Sequence, residues 1–472
     1  MMFNKKRQDA SVERAFRVLV PTRKFEIIVA VLICCDIYAV TCLAESQKPP
    51  ENNCKKQQEK IVVGQLPRKE CFDATECFDK VWNIINDEFW DPNFNGVDWE
   101  DARRRYRPKA LAAKDHELFA VVVNQMLGEL KTSHTCYLTK WDPDYYTLQA
   151  AFVSASLAHA STLETSALEQ YLSDLRSSQR DPHRGGIGVV TKKISGRHYV
   201  IAVLNSSPAE KAGILSGDWL VEVNGQPFHP VRSFENKAGQ EINIIIQRGP
   251  FETTRHLLKV IPLDRKEREL FEKDSHDRPR LIEHKDHRFA YIRLWWLNGR
   301  PMRQVLEYGI NAAIMSEGII IDIRDGFGGG PPVDYIQPFL KNGLETIIEE
   351  SIGRSRTFKS YAAFSKPVVV LINGGSRSGK ELLAYYFKKT GRGLLVGERT
   401  AGYVTAGRRK RISKDSFLYY CVRMIFIDGK RLEGVGVEPD IVVPFDVRFA
   451  AGRDVQLERA KDEMVKLIEA SR

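Results

Sequence analysis

Residues 366–388 read KPVVVLINGGSRSGKELLAYYFK, and the reading of this stretch decides the fold. Its apolar run is a short buried strand. The strand breaks at Gly374-Gly375, and a helix is expected over 379–391. Strand, glycine corner and helix in succession are a building unit of α/β folds. The corner admits two chemistries. Gly374–Lys380 has the G-x-x-x-x-G-K spacing of a phosphate-binding loop, whereas Ser378 stands at a helix mouth, where a hydrolase nucleophile would stand.

A phosphate loop needs a Ser/Thr hydroxyl for Mg²⁺ directly after its lysine, and that position is Glu381. The nucleophile reading needs backbone amides aimed at the reacting carbonyl. The Gly379 N–H at the helix start would supply one, with the helix dipole behind it. A second glycine corner, Gly328-Gly329 at the end of the apolar strand GIIIDIRD, would supply another. Ser376 competes with Ser378 but lies further back in the loop. Lys380 lies about 200° around the helix from Ser378, so it does not turn back to activate the serine and is expected to be solvated.

Outward from this corner the α/β pattern holds over 284–447. HRFAYIRLWWL, GIIIDIRD and GLLVGERT read as strands, 303–316 and 333–341 as helices, and FLYYCVRMIFI with GVGVEPDIVV as the segments completing the sheet. Residues 448–472 form a C-terminal amphipathic helix, and 263–283 a charged connecting helix. Residues 73–180 form a helical domain. Phe78, Trp82, Ile85 and Phe89 share one face, Asp115 can cap HELFAVVVNQMLGEL, and a further helical stretch covers 151–178. Over 185–262 the texture changes to short strands, with Ser195-Gly196 and Asn224-Gly225 as hairpin turns.

The 472 residues are 43% hydrophobic, as in globular chains of two or three domains. The net charge of +10 is diffuse apart from the first 24 residues, where seven Lys/Arg face Asp9 and Glu13. No basic stripe interleaves with aromatics, so nucleic acid is not expected as a partner. The basic start leads into IIVAVLICCDIYAVTCL, and residues 25–44 read as an export signal or membrane anchor, followed by a polar linker over 45–72. That places the chain outside the cytoplasm, periplasmic or otherwise extracytoplasmic. Beyond this segment Cys54, Cys71, Cys77, Cys136 and Cys421 remain, an odd number with no metal-ligand spacing. Cys71 and Cys77 are close enough in sequence to bridge.

Gly185-Gly186-Ile187-Gly188, then SPAEKAGI and then GDWLVEVNG stand in the order of a PDZ module, which residues 185–262 resemble. The resemblance implies that the amides of the Gly185–Gly188 loop hold a peptide's terminal carboxylate while the peptide adds as a strand. Across 75–445 the chain is similar to the carboxyl-terminal processing (tail-specific) serine peptidases. The helical N-terminal region, the PDZ module, the R-x-x-x-G-G corner at Arg324 and the S-x-S-x-x-E helix start at Ser376 carry that likeness. It implies an α/β peptidase core of the ClpP/crotonase-like class and puts the nucleophile on Ser378.

In the processing branch of that family a lysine twenty-five residues after the serine is the base, and this position is Tyr403, in GERTAGYV. A phenol with a pKa near 10 is a poor base at neutral pH. The tricorn-like branch uses a histidine in an L-x-x-S-H-T segment, and LKTSHTCY supplies His134. An imidazole with a pKa near 6.5 suits proton transfer. Its orienting carboxylate should lie in RLEGVGVEPD, which offers Glu433, Glu438 and Asp440, and the L-E-G-x-G-V-x-P-D likeness favours Glu433. Cys136 beside His134 has no oxyanion corner and is not expected to be a nucleophile. The resemblance thus implies an exported or anchored endopeptidase working through an acyl-enzyme, with Ser378, His134 and Glu433 catalytic. Gly379 with Gly328 or Gly329 would form the oxyanion hole, substrates would be peptide or protein C-terminal tails, and no metal or other cofactor is called for. The missing lysine motivates the alternative, a non-catalytic PDZ-bearing scaffold on a dead peptidase fold.

Overall fold

The computed structural model describes residues 72–148, 184–263, 266–276, 280–297, 299–330, 332–340, 346–350, 353–358 and 364–472. The signal or anchor expected at 25–44, the basic stretch before it and the helical stretch at 151–178 lie outside the described residues. No helix among those described is long and apolar enough to cross a membrane.

The N-terminal part opens on α1 (Ala74–Glu88), started by Asp73, whose carboxylate accepts the Thr75 and Glu76 N–H groups at 2.8 and 3.0 Å. Phe78, Val81, Trp82 and Ile85 recur at helical spacing and are buried. Next come α2 (Trp99–Leu111) and α3 (His116–Gly128), the latter capped by Asp115 through the Leu118 N–H at 2.8 Å. The chain then turns through Leu130–Thr135 into a short strand, β1 (Cys136–Thr139).

The second part is a β module: β2 (Gly185–Gly186), β3 (Val189–Ile194), β4 (Arg197–Val203), the short helix α4 (Pro208–Lys211), β5 (Trp219–Val223), β6 (Gln226–Pro227), β7 (Glu241–Gln247), β8 (Thr253–Lys259) and β9 (Ile261–Pro262). Its main sheet runs β3-β4-β5-β7-β8, and β2 pairs with β9 where the module begins and ends. The hairpin turns fall at Ser195-Gly196 (φ 49° and 80°) and Asn224-Gly225 (φ 49° and 76°), left-handed at both central residues as a two-residue turn requires. Ile187, Val200, Leu220, Ile244 and Leu258 form its core.

Among the described residues the connection that follows is helical over α5 (Lys266–His276). Arg280–His284, expected to continue it, is instead strand β10, paired antiparallel with β11 (His287–Arg293). The chain then alternates: α6 (Gly299–Ile314), β12 (Ile319–Asp322), α7 (Val333–Ile336), β13 (Thr346–Glu350), β14 (Ser355–Phe358), β15 (Val368–Ile372), α8 (Gly379–Thr390), β16 (Leu394–Gly397), β17 (Thr405–Ser413), β18 (Ser416–Ile427), β19 (Lys430–Arg431), β20 (Ile441–Val442) and α9 (Val455–Ala470). The sheet order is β10-β11-β12-β15-β16-β20, parallel from β11 onward. Ile292, Ile321 and Val370 face Leu382, Tyr386 and Phe387 of α8, while Tyr291, Ile320 and Val369 face Ala460, Met464 and Ile468 of α9. A sheet buried on both faces is why β15 is apolar at every position. Each such side chain contributes about 1.5–3 kcal/mol by leaving water. β12 and β15 are parallel neighbours in register Ile321↔Val370, so the glycine loops leaving their carboxyl ends emerge side by side.

A further expectation is corrected. FLYYCVRMIFI does not complete this sheet: as β18 it is the hub of a second, antiparallel one, pairing with β17, β13, β19 and β1. Ile412, Leu418, Tyr420 and Cys421 bury against Phe78, Phe119 and Val123 of the N-terminal helices rather than against the parallel sheet. The pairing Cys136↔Tyr419 draws the N-terminal segment 130–135 up to residues 403–433.

Candidate active site

Ser378 caps α8 with φ 59° and ψ −126°, a conformation that L-residues rarely adopt and that clusters at functional sites. Two contacts hold it there: its N–H donates to the Tyr403 carbonyl at 3.0 Å and to Glu381 Oε2 at 3.1 Å. Gly379, first residue of the helix, has no intrahelical acceptor for its N–H. The second glycine corner lies against it. A Cβ on Gly328 would stand 2.3 Å from the Gly379 nitrogen and 2.6 Å from Ser378 Cβ, and one on Gly379 would stand 2.9 Å from the Gly329 oxygen. Only glycine permits this approach. The corner is pinned from behind, since Leu297 N–H donates to the Gly328 carbonyl at 2.6 Å and Phe327 N–H to that of Trp295 at 2.8 Å. Arg324, at the foot of the loop, is clamped by Asp322 and Asp454 and serves structure.

The other polar residues of the opening corner separate cleanly. Ser376 is fully buried, donating to the Ile323 carbonyl at 2.9 Å and accepting the Asn373 N–H at 3.1 Å. Glu381 is fully buried too. Its carboxylate accepts from Thr400 Oγ1 (2.6 Å), Gly402 N–H (2.6 Å), Tyr403 N–H (2.7 Å) and Ser378 N–H (3.1 Å), which binds loop 400–403 to the helix start. Burial raises its pKa against these bonds. Lys380, expected to be solvated, is 0% exposed, and its Nζ donates to the Asp325 carbonyl. The helix face that points away from Ser378 points into protein here, not into water. Burial pushes its pKa down to about 7. Neither residue is disposed to take a phosphate or a metal.

His134 sits in the turn before β1 with φ 55°, its ring edge-to-face with Tyr419 at 5.2 Å between centroids. Burial, and then the charge of Arg377, push its pKa down to about 4, so the ring is neutral at neutral pH. Glu433, nearly buried, does not meet this ring directly, which corrects the expected arrangement. Oε1 accepts the Ser133 N–H at 2.7 Å, and Oε2 accepts both the Ser133 hydroxyl at 2.8 Å and the Val404 N–H at 2.7 Å. Ser133 Oγ in turn lies 2.9 Å from His134 Nδ1. A carboxylate only accepts, so the Ser133 proton points to Glu433 and its oxygen receives the Nδ1–H. Nε2 is then left with a lone pair, the tautomer a general base needs. Thr405 Oγ1, 3.0 Å from Nδ1, flanks the same edge. Ser133 is the S of the L-x-x-S-H-T segment, where its own role carries no sequence signal, and nothing in the sequence singles out Thr405. Glu438 and Asp440 are elsewhere: Glu438 meets Arg399 at the surface, and Asp440 accepts the Leu395 N–H.

Three consecutive residues touch all parts of the site. The Tyr403 carbonyl holds Ser378, the Val404 N–H holds Glu433, and the Thr405 hydroxyl meets His134. The Tyr403 side chain, at the position where a lysine base was sought, is 46% exposed. Arg377 and Tyr403, flanking Ser378, also line a cavity of about 370 Å³ that extends past Phe327 to Gly185, Gly186, Ile187 and Gly188 of the β module. Gly188 (φ 80°) packs on Ser207, where a Cβ would meet another at 2.2 Å. Among the described residues Cys77, Cys136 and Cys421 form no disulfide, Cys71 lying outside them, and burial pushes the Cys136 pKa up to about 12.

The sequence profile of peptidase family S41 matches residues 288–443, that of the tricorn protease C1 domain 73–128, and that of the PDZ domain 185–254. The chain is 24% identical over 396 residues to tricorn protease homolog 1 of Streptomyces coelicolor, covering 82% of this chain and 34% of that protein. It is 23% identical over 384 residues to the chloroplastic carboxyl-terminal-processing peptidase 3 of Arabidopsis thaliana, covering 77% and 67%. It thus spans about a third of the tricorn relative's length. Among solved structures it is similar to a photosystem II D1 C-terminal processing protease, with a TM-score of 0.45, 19% identity, and coverage of 82% of this chain and 99% of that one.

Proposed function

The chain belongs to the S41 serine peptidases in their tricorn-like, PDZ-bearing form, and from that premise we propose that it is an endopeptidase cutting exported proteins near their carboxyl termini. The run Tyr403–Val404–Thr405, in contact with Ser378, Glu433 and His134 at once, carries this reading. Ser378 Oγ attacks the scissile carbonyl while His134 Nε2 takes its proton. Glu433, acting through Ser133, stabilises the imidazolium that forms. The oxyanion is received by the N–H groups of Gly379 and of Gly328 or Gly329, reinforced by the start of α8. Collapse gives an acyl-enzyme, with the proton passing from His134 to the leaving amine. Water, deprotonated by the same ring, then releases the acid product and frees Ser378.

The Gly185–Gly188 loop binds the substrate's terminal carboxylate, and the 370 Å³ cavity leads the chain from there towards Ser378. Within the same proposal, 73–180 is the helical domain, 185–262 the PDZ domain and 284–447 the peptidase core. That core is of the ClpP/crotonase-like class, as two glycine corners leaving adjacent parallel strands would suit. Residues 25–44 deliver the protein outside the cytoplasm, cleaved or as an anchor.

The test is cleavage of two peptides of one sequence, one ending in a free carboxylate and one in an amide. The free acid should be cut at least about tenfold more efficiently, since the amide removes one charge-assisted carboxylate contact. The Ser378→Ala variant should cut neither. If the wild type binds the free-acid peptide yet cleaves no peptide or protein, the reading gives way to a binding protein on a peptidase fold.

A further inference from the structure

Among the described residues Lys380 is the one buried lysine, with no exposed surface. Burying a cation costs several kcal/mol unless its contacts compensate. Its Nζ donates to the carbonyl of Asp325, the residue that opens the glycine loop with φ 53°. The same Nζ would lie 3.2 Å from a Cβ on Gly326. The loop carrying Gly328 and Gly329 is therefore tied to α8 from beneath, by the helix's own second residue. On the outer side the Asp325 N–H donates to Asn373 Oδ1 (3.1 Å), Asn373 Nδ2 to Asp325 Oδ1 (3.1 Å) and Arg377 Nε to the Gly326 carbonyl (3.0 Å). These outer bonds involve groups that water can reach, and the Lys380 bond completes the ring from the buried side.

We propose that Lys380 is a positioning residue that locks the Asp325–Gly330 loop onto the first turn of α8 and so sets the spacing between the two backbone walls of the oxyanion hole. This rests on the serine peptidase reading above. An oxyanion donor works only within a few tenths of an ångström of its place, so slack between Gly379 and Gly328 costs rate and leaves substrate binding intact. The groups facing the ammonium are Arg293 from β11, Asp322 and Asp325 from the end of β12, and Arg377 from the corner before α8. Burial first, and then Arg293, push its pKa down to about 7. Protonation there adds positive charge behind the oxyanion, a contribution that fades as pH rises through that value.

The experiment replaces Lys380 by Met, which keeps the length and removes the donor. Expected is a fall of about 10- to 100-fold in kcat with KM within about twofold, and an equal loss of affinity for a peptidyl aldehyde, which forms the tetrahedral adduct. The thermal midpoint should not fall, because a buried charge has been removed. The wild-type dependence of kcat on pH near 7 should vanish in the variant. Unchanged kcat overturns the proposal, as does a loss matched by a collapse in thermal midpoint, the mark of a merely structural residue. Should Lys380→Met not fold, Lys380→Gln, with its shorter donor, is read by the same criteria. A wild type that acylates beside an unaltered Lys380→Met removes only this inference, whereas a wild type that never acylates removes the peptidase reading with it.

Discussion

Ser378 is held within its own corner: the Tyr403 carbonyl and the Glu381 carboxylate on its N–H, two glycine corners in contact and a strained turn between a strand and its own helix. His134 is held by side chains from segments some 270 to 300 residues away in sequence, Thr405 and, through Ser133, Glu433. The half carrying the proposed nucleophile stands at the end of a parallel-sheet strand. The half carrying the proposed base is brought in by the pairing of β1 with β18, which packs under the N-terminal helices. The corner is a backbone contact braced by two buried side chains, Glu381 and Lys380, whereas the relay to His134 runs through side chains alone.

The largest effect expected is at Ser378. Ser378→Ala should lower kcat/KM by about 10⁴-fold or more while leaving the thermal midpoint nearly unchanged, as measured with a fluorogenic peptide. His134→Ala should follow at about 10³–10⁴-fold. If it costs less than Ser133→Ala, the base has been assigned to the wrong ring. Ser133→Ala should cost about 10–100-fold, because Thr405 remains 3.0 Å from Nδ1 and still orients the ring. Adding Glu433→Gln to it should cost little more, since the two act as one unit. A fully additive double variant would show that Glu433 acts by another route.

The pH profile comes next in size. His134, pushed down to about 4, keeps its lone pair at weakly acidic pH, so the acid limb of kcat/KM should fall there rather than near an ordinary imidazole's pKa of about 6.5. The same shift sets a stability trend. The unfolded chain protonates this histidine first, so the stability contributed by the neutral ring is lost as pH falls from about 6.5 towards 4. Arg377→Gln should move the acid limb upward, since the guanidinium helps to depress the ring. The smallest effect is expected at Tyr403→Phe, under about twofold, because that residue serves through its N–H and C=O and its phenol faces outward.

The parts that were legible in the sequence are those whose geometry is local. The apolar run before Gly374, the glycines at 328–329 and the cap at Asp115 each declare themselves within a few residues. The PDZ hairpins were equally plain, because only a few residues suit two successive left-handed positions. What stayed hidden depends on distant pairing. A nearly continuous apolar strand such as FLYYCVRMIFI gives no sign of which sheet it joins, and its partner β1 is four residues long. Lys380 misled for a related reason: helix geometry tells which way a side chain points, not what lies there. Ser133 was adjacent to a residue already singled out, and its role appears only when Glu433 is brought within 2.8 Å of it.

The most direct measurement is labelling by a fluorophosphonate, with the modified residue mapped by mass spectrometry and the rate taken in wild type, His134→Ala and Tyr403→Phe. The relay Glu433–Ser133–His134 activating Ser378 predicts an adduct on Ser378 alone. It also predicts a rate at least about 100-fold lower in His134→Ala and nearly unchanged in Tyr403→Phe. An adduct on another residue, or a His134→Ala protein labelled as fast as the wild type, would contradict it.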